Sequence, residues 1–138
     1  MPSQPSSSSS SYQPSKEYKY CIADFKKVYG LAERKKQSKI VHAKHPDKIP
    51  VIIEKLKNVT NPVPDLEKHK YLMPNDIYMN QLLYIINKRL DINNSASIYL
   101  FANDILINNS ESIMTTYMRH KDEDGFLYLY YTAENVFG

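Results

Sequence analysis

Few residues in this 138-residue chain could carry chemistry, and the last residue is one of them. Gly138 ends in a carboxylate that no side chain crowds. It is an anion at neutral pH, with a reference pKa of roughly 3.3–3.7, and must be activated elsewhere before it can acylate an amine. The stretch Thr132 to Gly138 would reach roughly 23 Å if extended, at about 3.3 Å per residue, far enough to enter another protein's cleft. The alternative is a chain that ends on glycine without consequence. The other candidates are weaker. His42 and His45 lie close together but have no cysteine or carboxylate at metal spacing, so no metal site is expected. Cys21 reads as a small hydrophobe on a helix face rather than a nucleophile paired with a distant histidine. Being the single cysteine, it allows no intramolecular disulfide and makes a reducing compartment the default. Asp122-Glu123-Asp124 reads as a solvated charge run in a turn. With three glycines there is no phosphate-cradling loop. No enzyme is expected and no cofactor is implied.

A binding surface remains. Two short apolar stretches, 49–55 and 69–73, are flanked by Lys48, Lys68 and Lys70. If 69–73 is a sheet edge, its unpaired backbone groups can take up an incoming peptide, and the lysines favour an acidic one. Ordinary core packing is the competing reading of the same residues.

The elements that must position this surface follow from periodicity. The first 15 residues hold eight serines, three prolines and no charged side chain, and are expected to be disordered. That segment lacks the basic and apolar regions of a secretory signal, and no apolar run is long enough to span a bilayer. Residues 20–28, with Ile22, Phe25 and Val28, predict a short helix stopped at Tyr29-Gly30. Residues 31–44 predict a second, thinly amphipathic helix with Leu31, Ile40 and Val41 apolar, ended at His45-Pro46. Strands are expected over 49–55, where Pro50 suggests an edge or a strand opening, and over 69–73, with a Pro/Asn-rich loop between them. Met79, Leu82, Leu83, Ile86 and Leu90 form one stripe of a helix over 78–90, with Lys88-Arg89 in its last turn. A strand over 97–101 follows. A short helix capped by Ser110 then carries Ile113, Met114, Tyr117 and Met118. Last comes a strand over 125–131 that is apolar on both faces: Phe126, Tyr128 and Tyr130 on one, Leu127, Leu129 and Tyr131 on the other. The order suggests an α+β roll, one sheet wrapped on one main helix with the N-terminal helices covering its second face. A ferredoxin-like sandwich is the alternative fold. Charge is uneven. Residues 16–48 hold ten Lys/Arg against four acids, and the remainder is net acidic. The basic segment is either a solvated helical face or a surface for acidic filaments or membranes.

Several stretches together resemble the autophagy ubiquitin-like modifiers, the GABARAP and microtubule-associated light chain family. They are Arg34-Lys-Lys, His45-Pro-Asp-Lys-Ile-Pro-Val-Ile-Ile-Glu-Lys55, Asp65-Leu-Glu-Lys-His-Lys-Tyr-Leu-Met-Pro74, Asp124-Gly-Phe-Leu-Tyr and the terminal Phe137-Gly138. The resemblance runs from about residue 20 to the end. It implies a ubiquitin-like β-grasp with a four-stranded sheet and two added N-terminal helices. The organisation would be a Ser/Pro-rich tail over 1–16, the domain over 17–131 and a flexible conjugation tail over 132–138. It implies attachment of Gly138 to phosphatidylethanolamine by E1-like and E2-like enzymes and removal by a cysteine protease, with the protein cytoplasmic until lipidated and then on the autophagosome membrane. It also implies docking of cargo receptors through acidic aromatic-x-x-aliphatic motifs, a monomeric state and no nucleic-acid partner. By matching position, the aromatic pocket would use Gln37, Val41, Pro50, Ile52, Lys70, Leu72 and Phe126, and the aliphatic pocket Tyr71, Met73, Pro74, Ile77, Leu82 and Ile85. Lys48, Lys68 and Arg89 would meet the acidic flank. Gln37 stands where relatives often carry glutamate, and His69 where they often carry lysine. An adaptor of the same fold that docks peptides without being conjugated is the functional alternative.

Overall fold

The strands at 48–55 and 127–133, more than seventy residues apart in the chain, lie side by side and parallel at the centre of the sheet. This computed structural model describes residues 23–57, 63–91 and 98–133. The serine-rich tail, Cys21, Ile22, the middle of the loop before residue 63 and the last five residues lie outside them. In chain order the elements are α1 (Asp24–Val28), α2 (Leu31–Lys44), β1 (Lys48–Lys55), β2 (Lys70–Pro74), α3 (Met79–Leu90), β3 (Ile98–Ala102), β4 (Ile105–Leu106), α4 (Ile113–His120) and β5 (Leu127–Ala133). The sheet order is β2-β1-β5-β3-β4, and among the described strands only the β1–β5 pair is parallel. A parallel central pair of first and last strands, bridged by a helix, is the β-grasp arrangement and not the ferredoxin-like alternative.

The described strands number five, not four. The addition is the two-residue β4, folded back on β3 through Asn103 and Asp104, whose φ angles are 50° and 67°. Two successive left-handed residues suit a tight hairpin, and Asn and Asp tolerate that region better than most residues. Pro50 does not mark an edge, because β1 is central; it lies at the opening of the strand, just before the ladder with β5 begins. Ile53 N–H donates toward β2, to His69 O, and Leu56 N–H toward β5, to Tyr131 O. By that alternation the missing Pro50 N–H falls on the β5 side, where pairing begins only at Val51.

β5 is sealed on both faces. Leu127, Leu129 and Tyr131 join the main core with Val51, Ile53 and the inward stripe of α3, Met79, Leu82, Ile86 and Leu90. Phe126 and Tyr128 face the opposite way, with Ile52 and Ala23, under the N-terminal helices. The strand runs on through Thr132 and Ala133, both buried, two residues beyond the expected end. Pairing with Tyr99 and Ile98 of β3 extends it, a partner no local pattern reveals. Among the described residues no helix is long and apolar enough to cross a membrane.

α4 carries the expected Ile113, Met114, Tyr117 and Met118; Ile113 and Tyr117 are buried, Met114 and Met118 exposed, and one expectation about the helix changes. The cap is Ser112, whose Oγ accepts from Thr115 N–H at 3.1 Å, while Ser110 bonds back to Asn108 Oδ1. Ser112→Ala is therefore expected to cost about 1 kcal/mol, the usual worth of such a cap. A lowered urea midpoint reads this out, and Ser110→Ala should leave the midpoint unchanged.

Candidate functional site

β2 is one edge of the sheet, and the chain around it builds an open cleft. Strand alternation divides its side chains. Lys70 and Leu72 are exposed, whereas Tyr71 and Met73 turn into the core. α1 and α2 stand along one side of the strand and α3 along the other. The resulting cleft, about 870 Å³, is lined by Phe25 of α1 and Tyr29 just after it, Gln37 and Val41 of α2, the run Lys68 to Pro74, and Ile85 and Arg89 of α3.

The residues implied by the resemblance divide in two. Gln37, Val41, Lys70, Leu72, Tyr71, Met73, Pro74, Ile85, Lys68 and Arg89 all line this one cleft. Six do not. Pro50, Ile52 and Phe126 are buried in the layer beneath, and Leu82 is wholly inside the main core, at the inward centre of α3. Ile77 is half-buried against that core, and Lys48 sits at the start of β1 opposite Pro74. Phe126 is closed off because the Phe25 ring packs edge-on against it, with centroids 5.1 Å apart. Phe25, Tyr29 and His69 are lining residues that the matching did not supply. Phe25 was legible only as part of a helix stripe, and the contact that makes it a cleft wall is tertiary.

α1 has no fully buried residue, so polar contacts add to the packing of Phe25 in holding it in place. Glu54, buried in β1, turns its carboxylate up to accept the Asp24 N–H at 2.9 Å and the Phe25 N–H at 3.3 Å. These are first-turn amides with no helical partner, and an anion there also suits the helix dipole. Lys26 pairs with Asp122 at 2.6 Å, and Lys57 with Asp24 at 2.6 Å.

α2 is fixed by a buried network. Arg34 Nη1 donates to Asp124 Oδ2 at 2.6 Å, and the Tyr128 hydroxyl donates to the same carboxylate at 2.6 Å. Phe126 N–H reaches Asp124 Oδ1 at 2.8 Å. Asp124 is thus buried, contrary to the solvated turn expected of the 122–124 run. Burial pushes its carboxyl upward against the pull of these donors. For Arg34 burial acts downward, and hydrogen bonds to Asp124 and Tyr128 raise it overall. Ser38 Oγ donates to the Asp124 carbonyl. The contact requires glycine next door: Gly125 has φ +94°, and a Cβ on it would lie 2.4 Å from Ser38 Oγ.

The cleft is electropositive. Lys68, Lys70 and Arg89 line it, and among the described residues no aspartate or glutamate does. Lys70 Nζ donates to Gln37 Oε1 at 3.0 Å and so bridges the strand to α2. Lys68 Nζ and the Arg89 guanidinium lie 5.4 and 5.3 Å from the centre of the Tyr71 ring, each held at the rim by cation–π attraction. The Tyr71 hydroxyl donates to the Lys68 carbonyl at 2.6 Å, and burial raises its pKa. An edge strand in an open cleft with apolar walls and three cations suits an extended peptide with acidic residues. The described residues include no group of three or more His, Cys, Asp or Glu placed to hold a metal ion. His42 Nε2 instead meets the Tyr117 hydroxyl at 3.1 Å.

Comparison with known proteins bears on these features. The family model described as "Autophagy protein Atg8 ubiquitin like" matches residues 33–138. Autophagy-related protein 8 of Pichia angusta is 39% identical over 116 residues, covering 84% of this chain and 91% of that protein. Autophagy-related protein 8d of Arabidopsis thaliana is 38% identical over 117 residues, covering 85% and 96%. The crystal structure of Trypanosoma brucei ATG8 superposes with a TM-score of 0.77 at 28% identity, over 82% of this chain and 96% of that one. Sequence and fold therefore agree: the chain belongs to the Atg8 family of ubiquitin-like autophagy proteins.

Proposed function

We propose that this protein is a membrane-conjugated autophagy modifier. Its cleft docks receptor peptides of the form aromatic-x-x-aliphatic with acidic flanks, and its Gly138 carboxyl forms an amide with phosphatidylethanolamine. The observation that carries the docking half is the cleft itself: an edge strand with Leu72 exposed in an open cleft that Phe25, Val41 and Ile85 line with apolar side chains and Lys68, Lys70 and Arg89 with cations. A peptide added alongside β2 supplies main-chain hydrogen bonds, its two apolar side chains enter the cleft, and its acids meet the cations. Conjugation is supported by family membership. β5 ends at Ala133, and the five residues beyond it span at most roughly 17 Å at about 3.3 Å each. On this reading Gly138 is acted on by E1-like and E2-like enzymes and by a cysteine protease that reverses the attachment. A diacyl lipid supplies the second chain that stable anchoring needs, each buried methylene contributing about 0.8 kcal/mol. The unattached protein is cytoplasmic and monomeric on this reading, and the attached form sits on the autophagosome membrane.

The test is Gly138→Ala in starved cells. Membrane association and the lipid-dependent gel shift should both disappear, while binding of an acidic aromatic-x-x-aliphatic peptide to the purified variant stays as in the wild type. Retention of the lipidated band would overturn conjugation through this glycine. Loss of the band with no change in autophagosome recruitment would point to the unconjugated adaptor instead.

A further inference from the structure

Under the α1 side of the cleft lies a small apolar cluster separate from the main core. Ala23, Ile52, Phe126 and Tyr128 form it, and Phe25 and Tyr130 are the half-buried side chains packed against it. The Phe25 ring stands edge-on to Phe126, and Lys70 Nζ lies 6.0 Å from the centre of the same Phe25 ring. Phe25 also lines the cleft, so it touches this floor and borders the open space at once. The helix that carries it is lightly held. α1 has five residues and none is fully buried. Its other ties to the sheet and to the turn before β5 are polar: two amides on Glu54, the Lys57–Asp24 and Lys26–Asp122 pairs, and Lys26 Nζ 4.7 Å from the centre of the Tyr128 ring. Exposed pairs of this kind are weak. α1 also spells the pattern of an acidic aromatic-x-x-aliphatic motif: Asp24-Phe25-Lys26-Lys27-Val28. Wound into a helix, it docks only the aromatic half. Phe25 rests on the floor, whereas Val28 is 71% exposed.

We infer that Phe25 is the resident occupant of the subsite that takes a docked peptide's aromatic side chain, and that the peptide binds there by displacing it. This rests on reading the cleft as a peptide site. The contacts that hold Phe25 select what replaces it. A second aromatic ring recovers the edge-to-face contact with Phe126 and the attraction of the Lys70 ammonium, and an aliphatic side chain recovers neither. Phe126 and Ile52 are wholly covered while Phe25 is in place, so an incoming ring reaches them only when Phe25 leaves. α1 is thus a built-in competitor. The apparent affinity is the intrinsic affinity reduced by the fraction of molecules in which Phe25 has swung away.

Two variants of the full chain test this against a synthetic peptide with an acidic flank and a phenylalanine-x-x-leucine core. Phe25→Ala removes the competitor and should bind roughly three- to ten-fold more tightly than the wild type, the gain expected if about a third to a tenth of wild-type molecules are open. A peptide with alanine at the aromatic position should gain nothing from the substitution. The chain has no tryptophan, so Phe25→Trp places a single indole at this position. On addition of the phenylalanine peptide its emission should move to the red and become more open to acrylamide quenching, as an expelled ring must. A fixed wall against which the peptide packs gives the opposite signs. Unchanged or weakened binding by folded Phe25→Ala, or an indole that moves to the blue and is shielded, overturns displacement while leaving the cleft reading intact. Absence of binding by the folded wild type and both variants overturns both.

Discussion

Leu72→Asp reduces affinity for an acidic aromatic-x-x-aliphatic peptide by about 30-fold or more, while the protein stays folded. Leu72 is 37% exposed on the edge strand, so a polar replacement leaves no cavity in the core. It stands beside Lys70 on the outward face of β2, where the peptide's apolar side chains must come to rest. The substitution removes an apolar wall, which is worth about 1–2 kcal/mol to a buried ligand side chain. It also forces a carboxylate against a ligand that is itself acidic. Together these cost about 2–3 kcal/mol, or roughly 30- to 150-fold in Kd. Fluorescence anisotropy with a labelled peptide measures the loss, and Leu72→Met, which preserves volume and polarity, should bind within about two-fold of the wild type. An unchanged affinity for Leu72→Asp would show that the peptide does not lie along β2.

The largest stability effect is expected at Asp124. Its carboxylate is fully covered and takes hydrogen bonds from the Arg34 guanidinium, the Tyr128 hydroxyl and the Phe126 amide. Asp124→Ala removes the nearest carboxylate from a guanidinium whose side chain is only 11% exposed, leaving it Asp122 at 3.7 Å and the Tyr29 carbonyl, and deprives the Tyr128 hydroxyl of that acceptor. Breaking a buried pair on one side costs about 3–5 kcal/mol, against a total of about 5–15 kcal/mol for a domain of this kind. Urea unfolding should show a sharply lowered midpoint. Tyr128→Phe removes one hydrogen bond and should cost only about 1 kcal/mol. A double-mutant cycle between Arg34 and Asp124 should return a large coupling energy. The damage should also weaken peptide binding, because Gln37 and Val41 line the cleft from the same helix that Arg34 anchors.

What the sequence determined by itself is what repeats at short range. Period two assigned Phe126 and Tyr128 to one face of β5 and Leu127, Leu129 and Tyr131 to the other, and the structure divides them in the same way. Period 3.6 found α3, and a run of matched motifs found the family. Both depend only on neighbours along the chain, because side-chain direction in a helix or strand is set by the local backbone. Tertiary structure alone decided the fate of the polar and aromatic residues. Asp124 read as a solvated acid because its principal partner, Arg34, lies 90 positions away. Phe126 could be read as the floor of a pocket or as plain core, because nothing near it announces that Phe25 will close over it. Whether a carboxylate is buried or an aromatic ring covered depends on which distant groups arrive to satisfy or shield it. The chain's local pattern holds no record of that arrival until the sheet has brought the two ends together.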